Sequence, residues 1–202
     1  PRVGERLTLT VDLTGTWSNP YQAEEVSLEA AVSCPSGTEY TMPGFLNQEF
    51  DRTNEGTADS PKEMLTPIGE PVWQVRLMPR TPGVHTIMLR ARDRSGTVEH
   101  SVPVTVGEGT EPRFLRVSPR DPYSFAFDDG SPWLAIGLSV CWYRGEQGTY
   151  DYDDWFPMLA KNGGNYARIW QTRWAFGIEP ETVGVYRQDQ CFQFDRVLEL
   201  AE

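Results

Sequence analysis

From Pro132 onward the chain reads strand, helix, strand, loop, helix, and that order constrains its fold more than any other feature. Trp133 to Trp142 is an apolar run of strand length, and Tyr166 to Trp170 is a second one. Strands separated by a helix pair in parallel, because the helix carries the chain back along the strand's length so that the next strand starts at the same end. Such sheets have both faces covered, and closing eight strand–helix units into a barrel takes about 250 residues. Residues 133–202 therefore read as the first two β/α units of an incomplete TIM barrel.

The helices carry their own signals. Asp151, Asp153 and Asp154 offer N-cap oxygens and negative charge at the positive end of a helix dipole. Trp155, Met158 and Leu159 fall on one face, with Pro157 expected near the first turn. Asn162-Gly163-Gly164 supplies the left-handed stop. A second stripe, Phe194, Val197, Leu198 and Ala201, has Asp195 near its expected start and still runs at Glu202.

The first half alternates with period two instead. Leu7, Leu9, Val11 and Leu13 point one way, and Val26, Leu28, Ala30 and Val32 repeat the pattern. Tyr40–Pro43 and Phe45–Phe50 read as two strands, Arg52–Pro61 as a mobile polar loop, and Val72–Met78, Val84–Ala91 and Val98–Val106 as three more strands. Short strands at regular spacing with Gly, Pro and Asp turns point to an all-β, immunoglobulin-like sandwich over 1–107, without a disulfide. Gly107 to Pro112 changes texture, so 108–132 is expected to hold a linker and a β-hairpin turning at Asp128-Asp129-Gly130. The fold class expected is mixed: sandwich, hairpin, then the start of a barrel.

Composition removes several partner classes. A net charge of −11 over 202 residues, with no cluster of Lys and Arg, argues against nucleic acid. No apolar run approaches the roughly 20 residues that span a bilayer, so no membrane partner is expected. The N-terminus shows no basic-then-apolar leader, although a removed leader leaves no trace. Cys34, Cys141 and Cys191 are too scattered for a disulfide framework or zinc cluster. His85 and His100 sit in predicted strands and read as core or surface residues, so neither metal nor cofactor is expected.

Chemistry in a barrel gathers at the C-terminal strand ends. Here those ends carry Ser139, Cys141, Trp142 and Tyr143, then Arg168, Trp170, Gln171, Arg173 and Trp174, followed by Phe176 and Glu179. Indole faces stack on the apolar face of a sugar ring while Arg and carboxylate groups bond its hydroxyls, which makes Trp142, Trp170, Trp174 and Glu179 substrate-binding candidates. Rim packing is the competing reading for each indole. Arg168 lies inside an apolar strand, where a guanidinium needs an anionic or carbonyl partner. Two readings stay open for it: a structural salt bridge, or support for a catalytic carboxylate whose pKa it lowers.

These residues carry a resemblance. The runs Phe114–Arg120, Phe127–Trp133, Val140-Cys141-Trp142 and Asn162–Trp170, with Asp195–Glu202 at the close, resemble bacterial glycoside hydrolases of the apiosidase-like, clan A-like kind. In that family an Ig-like domain of unknown function precedes a TIM barrel. The resemblance implies a retaining mechanism, with an acid/base after the fourth strand and a nucleophile after the seventh, about 5 Å apart. It further implies that Arg168 supports the nucleophile and that Trp142 and Trp170 line the sugar pocket. It places no catalytic residue within this chain, which by itself is then inactive and would need the remaining barrel half as partner. The family has polar residues ahead of Val140-Cys141-Trp142 where this chain has Leu138-Ser139.

Two other readings remain. The sandwich is a carbohydrate-binding module, with Trp17, Tyr21, Tyr40, Phe45 and Trp73 as its candidates, or it is a structural or dimerisation brace. A two-unit barrel start exposes apolar faces, so a homo-oligomer is a further expectation. Sugar, linkage and compartment stay open, with secretion or a periplasmic location fitting a polysaccharide degrader.

Overall fold

A computed structural model describes residues 1–202. It is β-rich, with eleven strands and two α-helices. The first six strands are β1 (Leu7–Val11), β2 (Val26–Ser33), β3 (Glu39–Asn54), β4 (Glu63–Leu77), β5 (Gly83–Asp93) and β6 (Gly96–Val106). They form one sheet in the order β1-β4-β3-β2-β5-β6. Its pairings of β1 with β4, β2 with β3 and β5, and β5 with β6 are antiparallel.

Alternation sends Val26, Leu28, Ala30 and Val32 of β2 to the same core as Val75 and Leu77 of β4 and Ile87 and Leu89 of β5. The sheet curls, so Leu7, Leu9 and Val11 of the edge strand β1 pack on that same cluster. Glycine closes the tight β5–β6 turn at Gly96, where φ is 139°.

One expectation fails in the middle of this sheet. Tyr40–Pro43 and Phe45–Phe50 belong to a single strand, β3, and Arg52 to Asn54 continue it rather than starting a mobile loop. The β2–β3 pairing ends at Glu29 opposite Pro43, where proline offers no N–H to the ladder, and the strand carries on beside β4. The remaining turn is hydrogen-bonded. Asn54 Oδ1 accepts from the amides of Gly56 at 2.8 Å and Lys62 at 2.9 Å.

The chain divides into two compact units that do not follow sequence order. One holds Pro1–Asn47, Pro71–Arg120 and Ala126–Ser131, and the other Gln48–Glu70, Asp121–Phe125 and Pro132–Glu202. The outer ends of β3 and β4, read from sequence as part of a sandwich over 1–107, thus cluster with the C-terminal residues.

Three short strands follow the first sheet, β7 (Leu115–Val117), β8 (Phe125–Phe127) and β9 (Pro132–Trp133). The predicted Asp-Gly turn forms in this stretch, with the Phe127 amide donating to Ser131 O at 2.9 Å and Gly130 at φ 83°.

In the second unit β10 (Gly137–Ser139) pairs in parallel with β11 (Tyr166–Arg168), as the strand–helix–strand order predicts. The helix α1 (Tyr150–Lys161) lies between them in sequence, and α2 (Gln188–Ala201) follows. The expected strand from Trp133 to Trp142 is interrupted, because the Asn165 side chain takes over backbone groups there. Its Oδ1 accepts from the Ile136 amide at 2.9 Å, and its Nδ2 donates to Leu134 O at 3.0 Å.

The helices differ from expectation in detail. Thr149 occupies the N-cap of α1 without a side-chain cap bond, and none of the three aspartates caps it. Pro157 stands well inside α1, where it removes one backbone donor. The buried face of α1 is Tyr152 and Phe156, while Met158 is exposed. Its stop is as read: Gly163 has φ 77°, and the Gly164 amide donates to Leu159 O at 2.9 Å. In α2, which begins seven residues before Asp195 at Gln188, Val197 is fully buried and Leu198 is not. Neither helix is long and apolar enough to cross a membrane.

Candidate functional site

The two parallel strands end side by side. Just past β10 and β11 the Trp170 amide donates to Cys141 O at 2.8 Å, which fixes the spacing of the indoles on either side. The Trp142 and Trp170 rings stand 5.8 Å apart at 60°, and Trp142 and Trp174 5.5 Å apart at 86°. The Arg168 guanidinium lies 4.9 Å from the Trp170 ring centre, within cation–π range. Four residues singled out from sequence thus form one exposed cluster.

The premise behind Arg168 needs correcting. It is exposed in this chain, since β11 is only three residues long and its outer positions face away from the core. Its charge is not desolvated, and its partner is an indole face rather than a carboxylate.

Trp174 is held by a turn that sequence inspection does not flag. The Thr172 amide donates to Ala175 O at 2.8 Å and the Ala175 amide returns a bond to Thr172 O at 3.3 Å, so Arg173 and Trp174 form the tip. Directly after it, Phe176 has φ 56°, a left-handed backbone that costs a non-glycine residue about 1 kcal/mol or more. The Phe176 ring is fully buried against Tyr143, Tyr152 and Phe194, at centroid distances of 5.3, 5.8 and 5.7 Å. Packing therefore holds the backbone in a strained conformation behind an exposed tryptophan.

The same loop borders an open cleft of about 690 Å³, lined by Gln171, Arg173, Glu179, Tyr186 and Cys191 among others. Glu179 is thus placed in this cleft rather than among the indoles. Burial and the negative charge of Glu179 push the Tyr186 phenol above its ordinary pKa. Burial first, then the charges of Asp195 and Asp189, push the Cys191 thiol up to about 11. Only thiolate attacks an alkylating reagent, so Cys191 should react with iodoacetamide at pH 8 about 100-fold more slowly than an unperturbed cysteine. Peptide mapping against a model thiol measures this, and equal rates would refute it.

At the start of α2 burial opposes ionisation of Asp189, but the Arg187 hydrogen bond and charge outweigh it and lower the carboxyl pKa. A depressed folded-state pKa contributes stability that is present above the unfolded value near 4 and lost as pH falls below it. The Arg187 side chain is about half exposed, so the pair contributes under about 1 kcal/mol. Arg187→Gln should lower stability more at pH 7 than at pH 2, measured by urea unfolding. An equal loss at both pH values would count against the pair.

A second polar constellation was not legible in the sequence. Glu63, only 3% exposed at its side chain, pairs with Arg52 Nε at 2.7 Å. It also accepts from the Thr149 amide at 3.2 Å, the Thr149 hydroxyl and the Gln193 side chain. Arg52 reaches on to Asp153 at 2.6 Å and stacks 3.5 Å from the Tyr150 ring centre, and Arg196 meets Asp153 at 2.8 Å. Gly148 permits this approach, because a Cβ there would stand 2.1 Å from Glu63 Oε2. Both carboxylates are engaged by basic groups, an arrangement that locks helices rather than one that moves protons.

The aromatics that would serve a sheet-borne binding face are largely packing. Trp73 is buried, Trp17 meets it edge-on at 6.1 Å, and Tyr40 packs against the same core. No group of three or more His, Cys, Asp and Glu side chains could hold a metal ion. No family model matches the chain, and neither a curated protein nor a solved structure matches it.

Proposed function

We propose that this chain is the N-terminal part of a glycoside hydrolase acting on plant or bacterial polysaccharide, and that it supplies sugar contacts but not the catalytic carboxylate pair. The observation that carries this reading is the gathering of Trp142, Trp170 and Trp174, with Arg168, at the ends of two parallel strands. Barrel enzymes build their sites at such ends. In this reading the curled sheet is an Ig-like sandwich, and the β10–α1–β11 segment opens a TIM barrel. Further support comes from Leu134 and Leu138, which are 75% and 61% exposed around a parallel pair that elsewhere occurs covered. A longer product would bring Arg168 against a carboxylate from a later strand.

The test is the length of the open reading frame and the activity of its whole product on polysaccharide. A frame several hundred residues longer, whose product releases reducing sugar while residues 1–202 do not, is expected. A frame ending at Glu202 would overturn the reading. The alternative, a structural brace without catalytic activity, then stands ahead of a sheet-borne binding module, because Trp17, Tyr40 and Trp73 are spent on packing.

A further inference from the structure

The geometry points to Trp174, and not Trp170, as the residue on which a sugar ring stacks. This rests on the carbohydrate reading above and refines it, since the family resemblance implies Trp142 and Trp170 instead. Trp142 touches Trp170 at 5.8 Å and Trp174 at 5.5 Å, so no sugar fits between Trp142 and either neighbour, and the faces turned away from it remain. Trp170 is covered on one side by the Arg168 guanidinium and contacted by Trp142 as well. Trp142 is engaged by both other indoles. Trp174 meets one neighbour and is 66% exposed, against 41% for Trp170 and 39% for Trp142.

Exposure alone would make Trp174 an ordinary surface residue. What sets it apart is its mounting. The Thr172–Ala175 turn is bonded in both directions, the Thr172 hydroxyl adds a bond to Ala175 O at 3.3 Å, and Tyr143 Oη reaches Trp174 O at 3.5 Å. Behind it Ala175 and Phe176 are fully buried, the latter with its left-handed backbone. Backbone strain locked by packing is the signature of a preorganised position, and a rigid aromatic loses little entropy when a ligand settles on it. The cleft next to the turn presents Gln171, Arg173 and Glu179, whose polar groups suit hydroxyls of the same or the next sugar unit. The ligand class is an oligosaccharide of pyranose units with an apolar C–H face.

Tryptophan fluorescence and calorimetric titration of the 202-residue chain with cellohexaose and with xylohexaose tests this. Wild type should bind at least one of the two probes. Trp174→Ala should weaken that binding about 10-fold or more, Trp170→Ala less than about threefold, and Trp174→Tyr, which keeps a ring, should stay within about threefold of wild type. The Trp174 variants should melt within about 2 °C of wild type. Greater or equal loss in Trp170→Ala, or no loss in Trp174→Ala, overturns the assignment while leaving the carbohydrate reading in place. Absence of wild-type binding to both probes overturns the assignment together with the sugar-contact part of that reading.

Discussion

Glu63→Ala should cost about 3–5 kcal/mol, because it removes a buried carboxylate, leaves the partly buried Arg52 guanidinium with Asp153 as its one acidic partner and strips Thr149 and Gln193 of their acceptor. For a chain of this length that corresponds to a fall in melting temperature on the order of 10 °C. Glu63→Gln keeps an acceptor oxygen and removes the charge, so it should fall between alanine and wild type. The contrast is Glu99→Ala. Glu99 also pairs with an arginine at 2.7 Å, but both side chains are about half exposed, and the change should cost far less than Glu63→Ala. Urea denaturation of the three variants decides the matter. If Glu63→Ala and Glu99→Ala lose the same stability, the Glu63 network is not the lock described here.

Phe176→Ala should cost about 3–5 kcal/mol, the ordinary range for deleting a fully buried phenyl ring. The informative comparison is with Phe176→Gly. Elsewhere glycine is worse than alanine by roughly 0.5–1 kcal/mol. At φ 56° that order should reverse, since alanine retains the left-handed penalty and glycine does not. Thermal unfolding of both variants measures the difference, and a glycine variant clearly less stable than the alanine variant would show that the backbone relaxes when the ring is gone.

The two predictions concern residues that no local pattern marks. Glu63 lies 86 residues from Thr149 and 130 from Gln193 in the chain. In sequence it is an acid just past a polar stretch, with nothing local to mark it. Phe176 reads as one more aromatic after Trp174, since nothing in its neighbours requires a positive φ. By contrast, Trp142, Trp170 and Trp174 were legible as a group, because a parallel pair joined by a helix must bring its strand ends together whatever the rest of the chain does. Arg168 lies beside Trp170, but it is exposed rather than buried as its apolar strand suggests. Burial depends on what covers β11, and a strand's own composition does not state it.

Short-range physics was therefore readable from residue order. Alternation set the strands of the curled sheet, Gly96 and Gly130 set tight turns, and Asn162-Gly163-Gly164 ended α1. Each depends on a few neighbouring dihedrals and on which side chains share a face. Tertiary structure alone decided that Gln48–Glu70 groups with the C-terminal residues, that Asn165 interrupts the strand after Trp133, and that Arg52, Glu63 and Asp153 close into one network. Those outcomes turn on which distant polar groups find each other once water is excluded, and a buried donor or acceptor accepts whatever partner the packed chain places beside it.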